Sequence, residues 1–185
     1  LLWVSEGLSV YYEMILMNRA GCKSRNQMME EWKNSIETYE NNEGKKFQTL
    51  AQSSYQTWEY GPFGIAGKTI SYYEKGPLIG MLLDFKIRHN TQNQKSLDDV
   101  MRMLYWKYYK EENRGFTEKE MKDICENIAG ENLDDIFKYI YTLEPIDYNK
   151  YFSLAGLKVS QKSENGKFLY SIKRNKKTTP LQNLI

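Results

Sequence analysis

Apolar side chains return at Trp3, Val10, Met14 and Met17, close to helical spacing, which predicts a first helix over residues 3–18 stopped by Gly21. Glu6 stands four residues before Val10 on the same stripe, so the pattern aims a carboxylate at the apolar side, where it needs a partner. Ser24 followed by Gln27 forms a capping-box pattern, and Met28, Trp32, Ile36 and Tyr39 then share one face of a second helix. The Asn41-Asn42-Glu43-Gly44 run breaks it, and residues 50–58 suit a short helix. Residues 60–67 hold Gly61, Gly64, Gly67 and Pro62 and predict a loop. Ser71 to Glu74 is another capping-box pattern, opening a strongly apolar helix through Leu78, Leu82, Phe85 and Ile87. Pro77 lies inside that pattern and is expected to kink the helix or delay its start. Further helices are expected behind Ser96 (Val100, Leu104, Tyr108), behind the Thr117–Glu120 box (Met121, Ile124, Cys125, Ile128, ending at Gly130) and over Ile136 to Tyr141. Asp147 is expected to cap a last turn before Gly156.

The pattern then changes period. Leu157 to Val159 and Phe168 to Ile172 suit strands, and Asn165-Gly166 between them is a strong hairpin signal. A two-stranded hairpin is marginal alone, so it is expected to pack on the helices or on something else. The expected fold is mainly α, with residues 1–156 as a helical part and residues 157–185 as a β-hairpin and basic tail.

Composition narrows the chemistry. The 185 residues are 41% hydrophobic and 27% charged, an ordinary globular mix, and no apolar run approaches the roughly 18 residues of a membrane span. Net charge is +2, too balanced to imply nucleic acid. Between Lys158 and Lys177 seven basic residues face one acidic one, a run that suits a solvated face better than a nucleic-acid interface. Cys22 and Cys125 are over a hundred residues apart and suggest ordinary thiols. One histidine, His89, cannot supply a zinc hydrolase with the two it usually uses, and its place at a helix end suits a dipole partner. The chain opens Leu1-Leu2-Trp3-Val4, with no Met and no charged n-region, so it is expected to be a piece of a longer protein, and its compartment is not legible.

Two short motifs remain: Trp3-Val4-Ser5-Glu6-Gly7 entering one helix and Tyr73-Glu74-Lys75-Gly76 opening another. They resemble the glutamate helix and the tyrosine motif of gluzincin zinc metallopeptidases, and in detail the glycyl-aminopeptidase family, whose members often carry a PDZ domain. The likeness extends through Lys46 to Trp58, Ile70 to Arg88, Ser96 to Met101 and Gly115 to Leu157, in order, over roughly residues 1 to 160. It implies the helical lobe of a thermolysin-like catalytic domain, with the small hairpin at its C-terminal end. It implies a zinc held by two histidines of an HExxH helix and by a glutamate that matches Glu6. The HExxH glutamate would act as general base on the zinc's water, and a tyrosine matching Tyr73 would donate to the oxyanion. Pro77 departs from the family pattern beside that tyrosine, and Tyr72 is its rival should the register slip by one.

No HExxH stands in this sequence. The family order puts it before Leu1, so the resemblance implies an aminopeptidase acting on peptide N-termini, preferring glycine or other small residues, whose zinc and activity need that upstream part. The chain alone is expected to hold no zinc and to be inactive, and removal of the upstream part is expected to leave an apolar patch at Leu1, Leu2 and Trp3 that drives self-association. A second expectation is a catalytically dead relative whose helical lobe acts as a peptide-binding or interaction scaffold. A third is an unrelated helical adaptor, in which Glu6 and Tyr73 lie far apart. Without the resemblance, Glu6 is simply a dipole partner, Tyr73 one of fifteen tyrosines, Glu74 a cap, Lys75 a solvated charge, and Met28, Met29 and Trp32 core.

Overall fold

The computed structural model describes residues 1–184, and the fold is mainly helical with one antiparallel hairpin. A π-helical turn over Trp3–Gly7 leads straight into α1 (Leu8–Arg19). That turn corrects the expected stripe. A π turn takes about one residue more than an α turn, so the buried face is rotated after Gly7. The buried positions are Trp3, Val4, Leu8, Tyr11, Met14 and Ile15, whereas Val10 is half-buried and Met17 is exposed. Glu6 is thereby turned off the core face and sits half-buried at its edge.

The Ser24 capping box forms as expected and opens α2 (Arg25–Glu40), which buries Trp32, Ile36 and Tyr39. A 3-10 turn (Glu43–Lys46) follows, then α3 (Leu50–Tyr55) behind a second capping box at Thr49, and α4 (Thr57–Tyr60). The glycine-rich loop leads to α5 (Tyr72–Asn90). At its start Ser71 Oγ accepts the amide of Tyr73, at 3.1 Å, instead of that of Glu74, so the capping box expected there does not form as such. Nor does Pro77 delay the helix, which begins at Tyr72 and runs through it. Thirteen of the nineteen residues of α5 are buried, so it is apolar nearly all round and forms the axis of the core. The other helices pack about it.

Among these, α6 (Leu97–Leu104) follows the Ser96 box and continues as a second π segment, Tyr105–Glu111. The Thr117–Glu120 box opens α7 (Glu118–Ala129), which ends at left-handed Gly130. The short helices α8 (Asp134–Tyr141) and α9 (Tyr148–Phe152) precede left-handed Gly156. A buried carboxylate, Asp84, ties three of these elements together. It accepts from Tyr11 Oη (2.7 Å), Arg88 Nε (2.8 Å) and the Leu97 amide (2.7 Å).

The strands β1 (Leu157–Glu164) and β2 (Lys167–Arg174) pair from Leu157↔Arg174 to Glu164↔Lys167, with Asn165 and Gly166 both at positive φ, as a two-residue primed turn requires. The hairpin packs on α2. Asn41 brackets Phe168, bonding both its amide and its carbonyl at 2.8 Å, and Glu37 accepts the Tyr170 amide at 2.7 Å. A final turn, α10 (Pro180–Leu184), lies against Ser153 through Gln182. Among the described residues no helix is long and apolar enough to cross a membrane.

The apolar patch expected at the N-terminus is also corrected. Trp3 is wholly buried, edge-on to Phe137, and Leu2 is half-buried, so of the three only Leu1 is exposed. Large exposed aromatics lie instead at Phe47, Tyr55, Trp58 and Phe63, and at Tyr105, Trp106 and Tyr109 of the second π segment.

Candidate functional site

Two helices bring the two motifs together. The π turn of Trp3–Gly7 and the first turns of α5 cross at Gly7 and Gly76. An added Cβ on Gly76 would stand 2.6 Å from Gly7 Cα, and one on Gly7 would stand 2.8 Å from Gly76 Cα. Only glycine allows backbones that close. Glycine inside a helix is about 1 kcal/mol worse than alanine, so two of them at one crossing indicate a packing need. The π turn is fixed from its other side, because the Trp3 amide donates to Ser54 Oγ of α3 at 2.9 Å.

From this crossing Tyr73 Oη donates to Glu6 Oε2 at 2.8 Å, across 67 residues of sequence. That bond holds the Tyr73 hydroxyl in its protonated form and is the first cause that pushes its pKa up to about 12. Glu6 is therefore not buried against Met14 and Met17. It faces Tyr73, which removes the main prediction of the adaptor alternative. Tyr72, the rival, turns inward. It is buried, and its hydroxyl sits 3.3 Å from Thr57 Oγ1.

The glycine-rich loop closes over the ring of Tyr73. Gly61, Gly64 and Gly67 all take positive φ, Ser71 Oγ donates to the Pro62 carbonyl at 2.6 Å, and Thr69 Oγ1 accepts the Ile65 amide at 2.5 Å. These bonds present Phe63, 78% exposed, stacked on Tyr73 with ring centroids 5.9 Å apart.

The residues after Tyr73 differ from their expected roles. Glu74 Oε2 accepts from Asn42 Nδ2 at 3.0 Å, beside a cavity of about 490 Å³ that Phe63, Gly64 and Asn42 also line. Burial raises its pKa, partly offset by bonds from Asn42 and the Ser71 backbone. Lys75 is not a solvated charge. It is 0% exposed, with Nζ 5.3 Å from the centre of the Tyr39 ring. Burial lowers its pKa to about 8, against a smaller opposing pull from Glu40. Glu40 itself takes an ion pair from Lys45 and a bond from Tyr148 Oη (2.8 Å). Gly7, Gly76 and Lys75 are the residues whose roles the sequence pattern did not convey. The signal for the glycines was their position inside helices, and Lys75 had none.

Among the described residues no three His, Cys, Asp or Glu side chains come together. His89 is in the last turn of α5, sixteen residues beyond Tyr73, hence about 24 Å along the helix axis. Its Nδ1 is buried without a hydrogen-bond partner among the described residues. Cys125 is buried, with its thiol pKa pushed up by desolvation, and Cys22 is exposed.

Comparison with known proteins bears on the family and the fold. The family model described as M61 glycyl aminopeptidase matches residues 1–79, a stretch that includes both Glu6 and Tyr73. No curated protein matches the chain. Among solved structures the chain is similar to an aminopeptidase N family protein from Idiomarina loihiensis, at 22% identity and a TM-score of 0.79 over 87% of this chain. At that identity the likeness is one of fold. The chain spans only 28% of that protein. Over residues 1–79, the chain is thus similar to the M61 glycyl aminopeptidases.

Proposed function

We propose that this chain contributes two groups to the active site of a zinc-dependent aminopeptidase: Glu6 as a metal-ligating carboxylate and Tyr73 as an oxyanion donor. The observation that carries the proposal is the 2.8 Å bond between them, made by two half-exposed side chains at a closed glycine crossing. Glu6 suits a ligand in one respect of this structure. Tyr73 occupies Oε2 and orients the carboxylate, while Oε1 has no hydrogen bond among the described residues. Bonds of this kind from the surrounding shell fix the direction of metal ligands.

The ligand set is completed, in this proposal, by two imidazoles and a general base from an HExxH segment of the same protein, which these 185 residues do not contain. Zinc, when bound, polarises the scissile carbonyl and acidifies water. What this chain does is hold and donate. Glu6 holds its share of the charge at a fixed place. Tyr73, with its pKa near 12, keeps its proton at neutral pH, so it can turn from Glu6 to the oxygen on which negative charge develops. The substrate is a peptide with a free N-terminus, with glycine or another small residue first, as the family's description suggests. The chain alone binds no zinc and releases no amino acid.

The test uses the protein that joins this chain to an HExxH segment, with zinc content and release of N-terminal glycine as readouts. Glu6→Gln is expected to lose zinc. Tyr73→Phe is expected to keep it and lose roughly 10²–10³ in kcat. Full zinc content in Glu6→Gln, or hydrolysis by the 185 residues alone, refutes the assignment. The exposed Tyr55, Trp58 and Phe63 favour one second reading, a peptide-binding scaffold without catalysis. It is distinguished by peptide binding without zinc or hydrolysis.

A further inference from the structure

We infer that the free edge of β1 receives an acidic, extended segment of a partner protein as a third strand. The hairpin holds neither Glu6 nor Tyr73, so this edge stands apart from the catalytic proposal.

Backbone groups point alternately to the two sides of a strand. In β2 the groups turned away from β1 are those of Phe168 and Tyr170, and α2 covers them through Asn41 and Glu37. In β1 the groups turned away from β2 are those of Val159, Gln161 and Ser163. The Val159 amide donates to Asn149 Oδ1 at 2.9 Å. Beyond it, the Val159 carbonyl and the amides and carbonyls of Gln161 and Ser163 have no hydrogen bond among the described residues, and Gln161 and Ser163 are exposed. One edge of the hairpin is closed, and the other presents a row of donors and acceptors. Such a row is the template on which an extended chain adds a strand.

Charge selects that strand. Lys158 and Lys162 stand on the solvent face of β1. Lys158 lies directly opposite Lys173, a like-charge pair that destabilises the hairpin, and neither has an ion pair among the described residues. Two copies of this chain pairing edge to edge would crowd further lysines together, so the lysines oppose a second copy. A strand with acidic residues beside Lys158 and Lys162 relieves the repulsion instead. The inner face of the added strand meets a cavity of about 150 Å³ walled by Ile146, Tyr148, Val159 and Tyr170, with room for one small apolar side chain. The fitting sequence alternates acidic and small apolar residues. Phe168 and Tyr170 belong to the inner face of the hairpin, so the lysine face offers no ring on which a nucleic-acid base could stack.

The experiment is an NMR titration of the 185-residue chain with a capped peptide of alternating glutamate and valine. Saturable shifts are expected over residues 159–163, with slowed hydrogen exchange at the amides of Gln161 and Ser163. The same peptide N-methylated at its pairing amides keeps its charge and is expected not to bind. Gln161→Pro removes an outward amide while sparing the bonds to β2, and is expected to weaken binding about tenfold. Lys158→Glu, at an exposed position opposite Lys173, leaves the hairpin intact and is expected to weaken binding roughly fivefold. The inference is overturned by an absence of saturable shifts, by equal binding of the N-methylated peptide, or by unchanged binding in Lys158→Glu. A single-stranded oligonucleotide that shifts the same amides as strongly would make nucleic acid the partner and overturn it too. So would edge amides already protected in the concentrated chain without peptide, which would make a second copy the occupant.

Discussion

Gly76→Ala tests whether the glycine crossing sets the Glu6–Tyr73 geometry. The new Cβ would stand 2.6 Å from Gly7 Cα and 3.1 Å from the Trp3 carbonyl oxygen. Carbon atoms rest about 3.5–4.0 Å apart, so the two helices must separate by about 1 Å. The obstructing atoms are backbone, which cannot swing aside as the end of a side chain can. A separation of that size would take the 2.8 Å bond between Tyr73 and Glu6 to about 3.8 Å, outside hydrogen-bond range. Two energies compete. Alanine gains about 1 kcal/mol of helix propensity over glycine. Overpacking typically costs about 1–3 kcal/mol, and a backbone clash belongs at the upper end. The net expectation is a loss of about 2 kcal/mol. With a urea slope of about 2 kcal/mol per molar, the unfolding midpoint should fall by about 1 M. Gly115→Ala is the control, because a Cβ there meets nothing within 4 Å. The second readout is the ionisation of Tyr73, assigned by difference from Tyr73→Phe. Freed of Glu6, it should move from about 12 back toward its ordinary value of 10.0. A Gly76→Ala protein as stable as the parent, with the tyrosine titration unmoved, refutes the claim that these backbones are closed on each other.

Three further outcomes follow from the packing. Lys75 has a folded pKa near 8 against 10.5 in the unfolded chain, so between those values the unfolded state binds more protons and stability rises with pH on this residue's account; urea midpoints at pH 8 and 9.5 should show the rise, and Lys75→Met should abolish it. Asp84→Ala leaves Arg88, Tyr11 and the Leu97 amide without their shared acceptor and should destabilise by about 3 kcal/mol, whereas a loss below about 1 kcal/mol in calorimetry would show that water replaces the carboxylate. The exposed aromatics Phe47, Tyr55, Trp58 and Phe63 should make the chain self-associate, reversed by Trp58→Lys; light scattering that finds a monomer at every concentration contradicts this.

Much of the helical pattern was legible because local chemistry specifies it. The Ser24, Ser96 and Thr117 boxes are satisfied within four residues of chain, as is the Asn165-Gly166 turn, so no distant contact was needed to identify them. Two features depended on distant contacts and were missed. The π turn at Trp3–Gly7 is set by its contact with Gly76 and Ser54, and a constant 3.6 period placed Val10 and Met17 inside when Leu8, Tyr11 and Ile15 are there. Lys75 looked like an ordinary surface charge because nothing in its neighbours tells that Tyr39 of α2 will cover it. The juxtaposition of Glu6 and Tyr73 was expected only through the family resemblance, since no periodicity relates positions 67 residues apart.

The four residues Tyr73 to Gly76 show why so short a motif marks so much of the fold. On an α-helix each residue points about 100° from the last, so four in a row look in four directions. Tyr73 reaches Glu6, Glu74 reaches Asn42 and the cavity, Lys75 goes inward to Tyr39, and Gly76 meets Gly7. Glu6 and Gly7 belong to the π turn, Tyr39 and Asn42 to the end of α2, and Phe63 of the glycine loop stacks on Tyr73, so that turn of helix orders all three at once. Two of the four contacts fix geometry, at Gly76 and Lys75, and two present polar groups, at Tyr73 and Glu74. A substitution at either fixing position should therefore disturb both presenting ones, whereas Tyr73→Phe and Glu74→Gln should act independently of each other. Additive losses in that pair, against shared losses with Gly76→Ala, are what a double-mutant cycle would show if the turn works this way.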